Sequence, residues 1–293
     1  MLLHLLEVLA PVMVCAAVGY GWGRLGPAFD DATASRLVIY ISAPCLIFHS
    51  LVTLSVSPEA LTRMALLAAS AIAAFALLGA AALKLLRLPL HTFLGPVTFT
   101  NCGNLGLGVC LFAFGEEGLA LGVAYFAVSF VSHSLVGDVL FAGKTSLRPI
   151  VVSPLAWAAV ISVVILKAEW KVPLALARVT ELLGAPTIPV MLIALGVSLS
   201  RLRMRALGAA FAVALLRLGM GVGVGVALSE LLALEGVMRG VLILECAMPA
   251  GVLNYLFAQK YNRDPQAVAG VVLVSTLLSF VAIPLLLSAL LSG

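Results

Sequence analysis

Apolar residues run through this chain in long segments, and polar or turn-forming residues stand at short joints between them. A transmembrane helix needs about 20 consecutive apolar residues, because the hydrocarbon core of a bilayer is about 30 Å thick. Windows of that length divide the chain into ten predicted spans, near residues 2–22, 32–54, 59–83, 92–114, 118–142, 150–167, 173–200, 207–233, 236–259 and 265–291. The joints are too short for a soluble domain, so we predict an all-α integral membrane protein.

Composition supports the membrane class and narrows the chemistry. Hydrophobic residues make up 63% and charged residues 10% of the 293 residues, with a mean hydropathy of +1.19. The N-terminus lacks a basic stretch before its apolar run, so we expect it to be retained as the first span rather than cleaved as a signal peptide. The five cysteines all fall in apolar segments and are interpreted as packing residues. No nucleic-acid partner and no organic cofactor are expected.

Lysine and arginine set the predicted orientation. With the N-terminus outside, eleven of these residues at or near the joints fall on the cytoplasmic side and five on the other. Cytoplasmic loops of membrane proteins carry the excess of positive charge. We therefore predict a multi-pass protein of the cell (inner) membrane with both termini outside.

The two halves of the chain resemble each other at an offset of about 145 residues. The segment LFAFGEEGLALGVAYFAVSFV from Leu111 parallels LFAQKYNRDPQAVAGVVLVSTLLSFV from Leu256. Because five spans is an odd number, consecutive halves must enter the membrane with opposite topology, as in many secondary transporters. We predict a first repeat over 1–142, a cytoplasmic linker over 143–149 and a second, inverted repeat over 150–293 within one membrane domain.

Spans 4 and 9 are interrupted at matching places. Span 4 contains FTNCGNLGLG and span 9 contains LECAMPAGVLNY. Glycine, asparagine and proline weaken a helix, and bare backbone groups in lipid cost several kcal/mol each unless protein, water or a ligand covers them. Packing of small residues would explain one such break, but paired breaks favour a binding site near mid-membrane.

The segments TNCGNLGLGVCLFAFGEEG and ECAMPAGVLNYLFAQKYNRDPQAVAGVVLVSTLLS resemble the auxin efflux carrier family, which includes bacterial carriers for malonate or malate and the plant PIN-type auxin exporters. The resemblance implies a bile acid:sodium symporter-like fold, in which spans 4 and 9 unwind and cross, spans 1, 2, 6 and 7 form a scaffold, and the remainder moves as an elevator. Related carriers suggest a homodimer through the scaffold.

The same resemblance implies a set of substrate-binding positions at the crossover: Asn101, Gly103, Asn104, Gly106, Pro249, Gly251 and Asn254. Crossovers of the family commonly carry proline in both broken helices. Here Asn104 stands opposite Pro249 in the repeat comparison, which departs from that pattern.

Polar residues inside the spans are candidates for ion coupling. In bile acid:sodium symporters a glutamate four residues before the crossover binds sodium with a Ser-Asn pair in span 4 and hydroxyls of span 5. The chain is similar, with Glu245 and Asn101 as possible sodium ligands and a wider ion-coupling set of Thr100, Ser129, Ser132 and His133. A structural or protonated acid is the alternative for Glu245, and Arg217 is expected to neutralise a buried acid such as Glu245 or Asp138 or to attract an anion.

These features favour a secondary transporter that moves a small organic anion, a carboxylate such as malonate, malate or an auxin-like acid, by elevator-type alternating access. A cation/proton antiporter or sodium-coupled symporter of related fold is the alternative within transport. An intramembrane hydrolase is the alternative from another class, but the chain presents no convincing Ser–His pair, and we predict that it is not an enzyme.

Overall fold

The computed structural model describes residues 2–53, 56–142, 151–201 and 207–292, and every regular element in these ranges is a helix. The helices are α1 Leu2–Leu25, α2 Asp31–Leu37, α3 Ala43–Thr53, α4 Pro58–Leu85, α5 Leu90–Thr98, α6 Leu107–Ala142, α7 Pro154–Lys167, α8 Leu174–Gly184, α9 Thr187–Arg201, α10 Leu207–Leu231, α11 Gly236–Ala247, α12 Leu253–Lys260 and α13 Pro265–Ser292. Wider π-helical turns over Val38–Ser42 and Cys102–Gly106 lead into α3 and α6. The predicted linker 143–149 lies outside the described residues.

Six helical segments in these ranges are long and apolar enough to cross a membrane. They are Thr33–Thr53, Pro58–Leu85, Cys102–Leu135, Leu174–Arg201, Gly208–Leu231 and Pro265–Leu290, with shorter apolar helices at Leu9–Leu25 and Pro154–Lys167. The all-helical membrane class is therefore confirmed. The division into ten spans and the inverted five-span halves stay predictions, because several predicted spans are short or broken when taken as single helices.

Local chemistry explains where several helices begin and bend. The Ser57 side chain accepts a hydrogen bond from the Ala60 amide at 3.1 Å, and Pro58 follows at the first helical position of α4. Gly115 has φ 65° and ψ −153° within α6. This conformation is accessible mainly to glycine, and it separates the short helical stretch after the crossover from the long remainder of α6.

Close helix contacts depend on small residues. A Cβ atom added at Gly19 of α1 would collide with the Ile193 carbonyl of α9, and one at Gly196 of α9 would collide with the Ala16 carbonyl of α1. On α10, Gly221 and Gly225 face the backbone of α11 in the same way. Small residues that let backbones approach are typical of membrane helix interfaces. All five cysteines are free, which agrees with their interpretation as packing residues.

Candidate functional site

The interruptions predicted in spans 4 and 9 are both present, and they contact each other. The first break lies between α5 and the π-helical turn at Cys102, and the second lies between α11 and α12. Their backbones form an antiparallel bridge at Thr100 and Ala250. The Asn101 amide donates to the Pro249 carbonyl at 2.7 Å, and the Gly251 amide donates to the Phe99 carbonyl at 3.0 Å. Each break thereby satisfies backbone groups that the other leaves free, as a membrane interior requires.

The pairing shows which residues meet at the crossover. Thr100 is bridged to Ala250, and Asn101 lies across from Pro249 in space. The alignment of Asn104 with Pro249 concerns equivalent positions of the two halves, which are different from partners across an antiparallel bridge. The repeat and its offset of about 145 residues therefore stay predictions.

A cavity of about 360 Å³ opens against the crossover. This volume lies in the range of small-molecule sites. Seven of the predicted site positions line the cavity: Thr100, Asn101, Gly103, Asn104, Ser129, His133 and Gly251. The other predicted positions, Gly106, Ser132, Glu245, Pro249 and Asn254, are not among its lining residues. The remaining walls come from α2, the turn that follows it, α3, α6, α7, α9 and α12, and most of their side chains are apolar.

Side-chain amides and positive charge, without negative charge, line the described part of the cavity. Arg201, at the end of α9, is the charged side chain among the described lining residues, and no Asp or Glu is found among them. The Arg201 guanidinium also donates to the Phe29 carbonyl at 3.2 Å. The Asn101 Nδ2 group is buried without a hydrogen-bond partner in the described structure, so it can donate to a ligand. The lining is therefore suited to an anionic group attached to an apolar body.

His133 forms part of the wall as a stacked ring. Its imidazole lies between Phe99, with centroids 4.1 Å apart, and Phe257, with centroids 4.9 Å apart. Its Nε2 atom is buried and has no hydrogen-bond partner in the described residues. The stack joins α6 to the first break and to α12, and it leaves one polar atom of His133 for a ligand or a proton.

Asn254 links the two breaks by side-chain hydrogen bonds. Its Nδ2 group donates to the Phe99 carbonyl at 3.0 Å and to the Gly251 carbonyl at 2.8 Å, and the side chain is fully buried. One amide thereby holds a carbonyl from each break. Both donor hydrogens of Asn254 are therefore used within the protein, while its Oδ1 atom is buried without a partner in the described residues. The substrate-binding role of Asn254 stays a prediction.

Glu245 lies on the other side of the π-helical turn. It is fully buried, Cys110 Sγ lies 3.6 Å from its Oε1 atom, and its Oε2 atom has no partner in the described residues. Cβ atoms added at Gly106 or Gly122 would press on its carboxyl group, so both glycines make room for it.

The predicted sodium ligands do not all line the cavity. Thr100, Asn101 and Ser129 line the cavity, whereas the contacts of the Glu245 carboxyl group are with Cys110, Gly106 and Gly122. The described residues contain no cluster of three or more His, Cys, Asp or Glu side chains suited to a metal ion. The possible sodium site of Glu245 and Asn101 stays a prediction.

Arg217 is held by main-chain oxygens. Its guanidinium donates to the Val97 carbonyl at 2.6 Å and to the Cys246 carbonyl, and it stacks over the Phe75 ring at 4.1 Å. No ion pair between Arg217 and Glu245 is found within the described structure. The prediction that Arg217 neutralises Glu245 is wrong, because the guanidinium is turned toward the carbonyl ends of two helices instead. The side chain of the other proposed partner, Asp138, lies outside the described residues.

Sequence comparison decides the family. A profile described as "Membrane transport protein" matches residues 4–144 and 138–287, which together cover most of the chain. The chain belongs to this membrane transport protein family, which includes the auxin efflux carriers. An uncharacterized transporter of Methanothermobacter thermautotrophicus is 28% identical over 294 residues, covering 95% of this chain and 96% of the relative. An uncharacterized transporter of Methanocaldococcus jannaschii is 25% identical over 299 residues, covering 96% and 97%.

In this membrane transport protein, sequence reasoning missed one residue of the cavity lining, Arg201, and two aromatic residues that stack with His133. The sequence indicates only a cytoplasmic charge at Arg201, and nothing in its local pattern predicts that it lines a cavity. Phe99 and Phe257 stand in apolar segments, where an aromatic residue carries no signal of its own. Their role depends on the contact between the two breaks, which no local pattern indicates.

Proposed function

We propose that this membrane transport protein is a secondary carrier for a small organic anion, with a carboxylate bound at the crossover and an apolar body held by the surrounding walls. The observation that carries the proposal is the lining of the cavity, where Arg201 and the amides of Asn101 and Asn104 accompany mainly apolar side chains. Such a site recognises one negative group by charge and hydrogen bonds and the rest by burial.

The proposed transport cycle alternates access to this cavity. The paired breaks tie α5, α6, α11 and α12 together at one point, so these helices can carry the site as one body. The tight contact between α1 and α9 through Gly19 and Gly196 supplies a separate rigid element. We propose an elevator-type movement of the first group against the second.

Two alternatives are less well supported. A cation carrier would need an acidic group at its site, and the described cavity lining has none. An intramembrane hydrolase would need a serine held against a histidine, and no hydrogen bond joins a described serine to His133, the histidine of the cavity wall.

The direct test is uptake by the purified chain in lipid vesicles. Labelled phenylacetate and indole-3-acetate represent acids with one carboxylate and an apolar body, whereas malonate and malate represent compact dicarboxylates. We expect uptake of the first pair and weaker or no uptake of the second, because the cavity offers one cationic side chain. Arg201→Gln should reduce uptake, and Arg178→Gln, at an exposed arginine of α8, is the matched control. Absence of uptake for every acid in the parent would refute the proposal.

A further inference from the structure

Arg217 bridges the carbonyl ends of the two half-helices that lead into the crossover. Val97 lies in the last turn of α5, and Cys246 lies in the last turn of α11, and the same guanidinium donates to both carbonyls. Arg217 is fully buried, and it is the largest of the fully buried side chains in the described structure. A buried charge without compensation would be strongly unfavourable in a membrane protein.

The compensation comes from the backbone. The C-terminal end of a helix carries a partial charge of about −0.5, because its last carbonyls have no partners within the helix. Two such ends sum to about one negative charge, which matches one guanidinium. The Phe75 ring adds a cation–π contact to the guanidinium.

This position has a known physical use. In transporters with broken helices, the C-terminal ends of half-helices and unwound carbonyls commonly coordinate the coupling cation. We infer that Arg217 is a built-in cation that takes this place, so that assembly of the crossover and binding of the substrate do not depend on sodium. The inference rests on the proposed carrier function for its link to substrate binding, but its effect on the empty protein stands apart from any substrate.

The surrounding residues agree with a permanent cation. Gly221 leaves the space through which Arg217 reaches α11, since a Cβ atom at this position would meet both the Cys246 carbonyl and the Arg217 Nη2 atom. Glu245, one residue before Cys246, forms no ion pair with Arg217 in the described structure. The charge of Arg217 is therefore neutralised by the helix ends. It does not depend on a carboxylate, whose charge would be lost on protonation.

The first experiment uses the unaltered chain. Unfolding temperatures of the detergent-purified protein are compared in sodium chloride and choline chloride at equal ionic strength, up to about 150 mM. An ion that binds the native state raises stability by RT ln(1 + [L]/Kd). We expect the two salts to give the same unfolding temperature, and a saturating stabilisation by sodium alone would overturn the inference.

The second experiment replaces the charge. Arg217→Met keeps most of the side-chain length without the cation, Arg217→Lys keeps the cation, and Arg63→Met is the control at an exposed arginine that also donates to a backbone carbonyl, that of Leu232. We expect Arg217→Met to unfold at a lower temperature than Arg63→Met, and Arg217→Lys to fall between Arg217→Met and the parent. Equal stability of Arg217→Met and the parent would overturn the inference.

The third experiment restores the missing cation from solution. Low concentrations of guanidinium chloride should raise the unfolding temperature of Arg217→Ala relative to choline chloride, and should not do so for the parent or Arg63→Ala. No such difference in a folded Arg217→Ala protein would contradict the role of a cation. If neither Arg217→Met nor Arg217→Ala folds, Arg217→Lys and the sodium comparison still decide the question. If the parent binds no carboxylic acid, the proposed function is refuted. The stability results still test the role of Arg217, because they use no substrate.

Discussion

His133 lies flat against Phe99, with ring centroids 4.1 Å apart and ring planes 3° apart. Phe257 covers the opposite face of the imidazole at 4.9 Å. Phe99 belongs to the first break and Phe257 to α12, so the histidine of α6 is clamped between parts of both interrupted helices. His133 also lines the cavity, and its buried Nε2 atom has no hydrogen-bond partner in the described residues. Stacking and polar contact are thus separate functions of one side chain.

These two functions can be separated by substitution. His133→Phe preserves a flat ring in the stack but removes Nε2, so we expect an unfolding temperature near that of the parent and about tenfold weaker binding of phenylacetate. His133→Ala removes the stack as well and should lower stability by about 1–3 kcal/mol. Isothermal titration and thermal unfolding give the two quantities. If His133→Phe binds as tightly as the parent, Nε2 does not contact the ligand.

Asn101 and Asn104 are expected to act on binding alone. Both line the cavity, and the Asn101 Nδ2 group has no partner in the described protein. A hydrogen bond to a charged group contributes about 1.5–3 kcal/mol, so alanine at either position should weaken binding of a carboxylate about 10- to 100-fold. Gln266→Ala, at an exposed amide near the start of α13, is the control and should bind normally. Unchanged affinity in both cavity variants would place the site elsewhere.

Asn254 should behave in the opposite way. Its Nδ2 group donates to the Phe99 and Gly251 carbonyls, so Asn254→Ala removes two buried hydrogen bonds that join the breaks. Loss of such bonds costs about 1–3 kcal/mol, and thermal unfolding should show a corresponding decrease relative to Asn101→Ala. A variant of unchanged stability that binds substrate poorly would instead support the ligand role that the sequence predicted.

The location of the breaks was predictable because glycine, proline and asparagine are unfavourable in a membrane helix for reasons that act locally. The cavity-lining positions from Thr100 to Asn104 follow directly from that location. The role of Asn254 was not predictable, since it depends on which carbonyl of the other break lies beside it. Contacts between segments 150 residues apart leave no trace in the periodicity of either segment.

The orientation of the Glu245 side chain could not be predicted from the sequence either. Its distance from the proline in sequence was known, but helical phase is lost at a break, so the face on which its carboxyl group lies could not be derived. The structure places it against Gly106 and Gly122, behind the turn that carries Asn104. Arg217 was likewise identified as buried, while its carbonyl partners depend on the ends of two other helices.

Gly106 is required by the Glu245 carboxyl group. A Cβ atom at Gly106 would overlap that group, so Gly106→Ala must displace a fully buried side chain. Overpacking of this kind costs about 1–3 kcal/mol, and we expect a lower unfolding temperature by that margin. Gly223→Ala on α10 is the matched control, since a Cβ atom there meets nothing within 4 Å. Equal stability of the two variants would show that the carboxyl group moves freely.

Glu245 is the remaining candidate for coupling, and it is testable apart from Arg217. The carboxyl group is buried, one oxygen lies near the Cys110 thiol, and the other has no partner in the described residues. Such a group can take up and release a proton without breaking an ion pair. Glu245→Gln keeps the size of the side chain and its hydrogen-bonding groups but removes the proton site.

We therefore expect Glu245→Gln to remain folded and to bind phenylacetate as the parent does, because the carboxyl group does not line the cavity. In vesicles, an imposed pH gradient should drive accumulation of the labelled acid above the level of protein-free vesicles for the parent, and not for the variant. Glu116→Gln, at an exposed glutamate of α6, controls for loss of a negative charge. Accumulation by Glu245→Gln equal to that of the parent would make Glu245 a structural acid. Coupling would then depend on another residue, of which His133 is the first to test because its Nε2 also lacks a partner within the described structure.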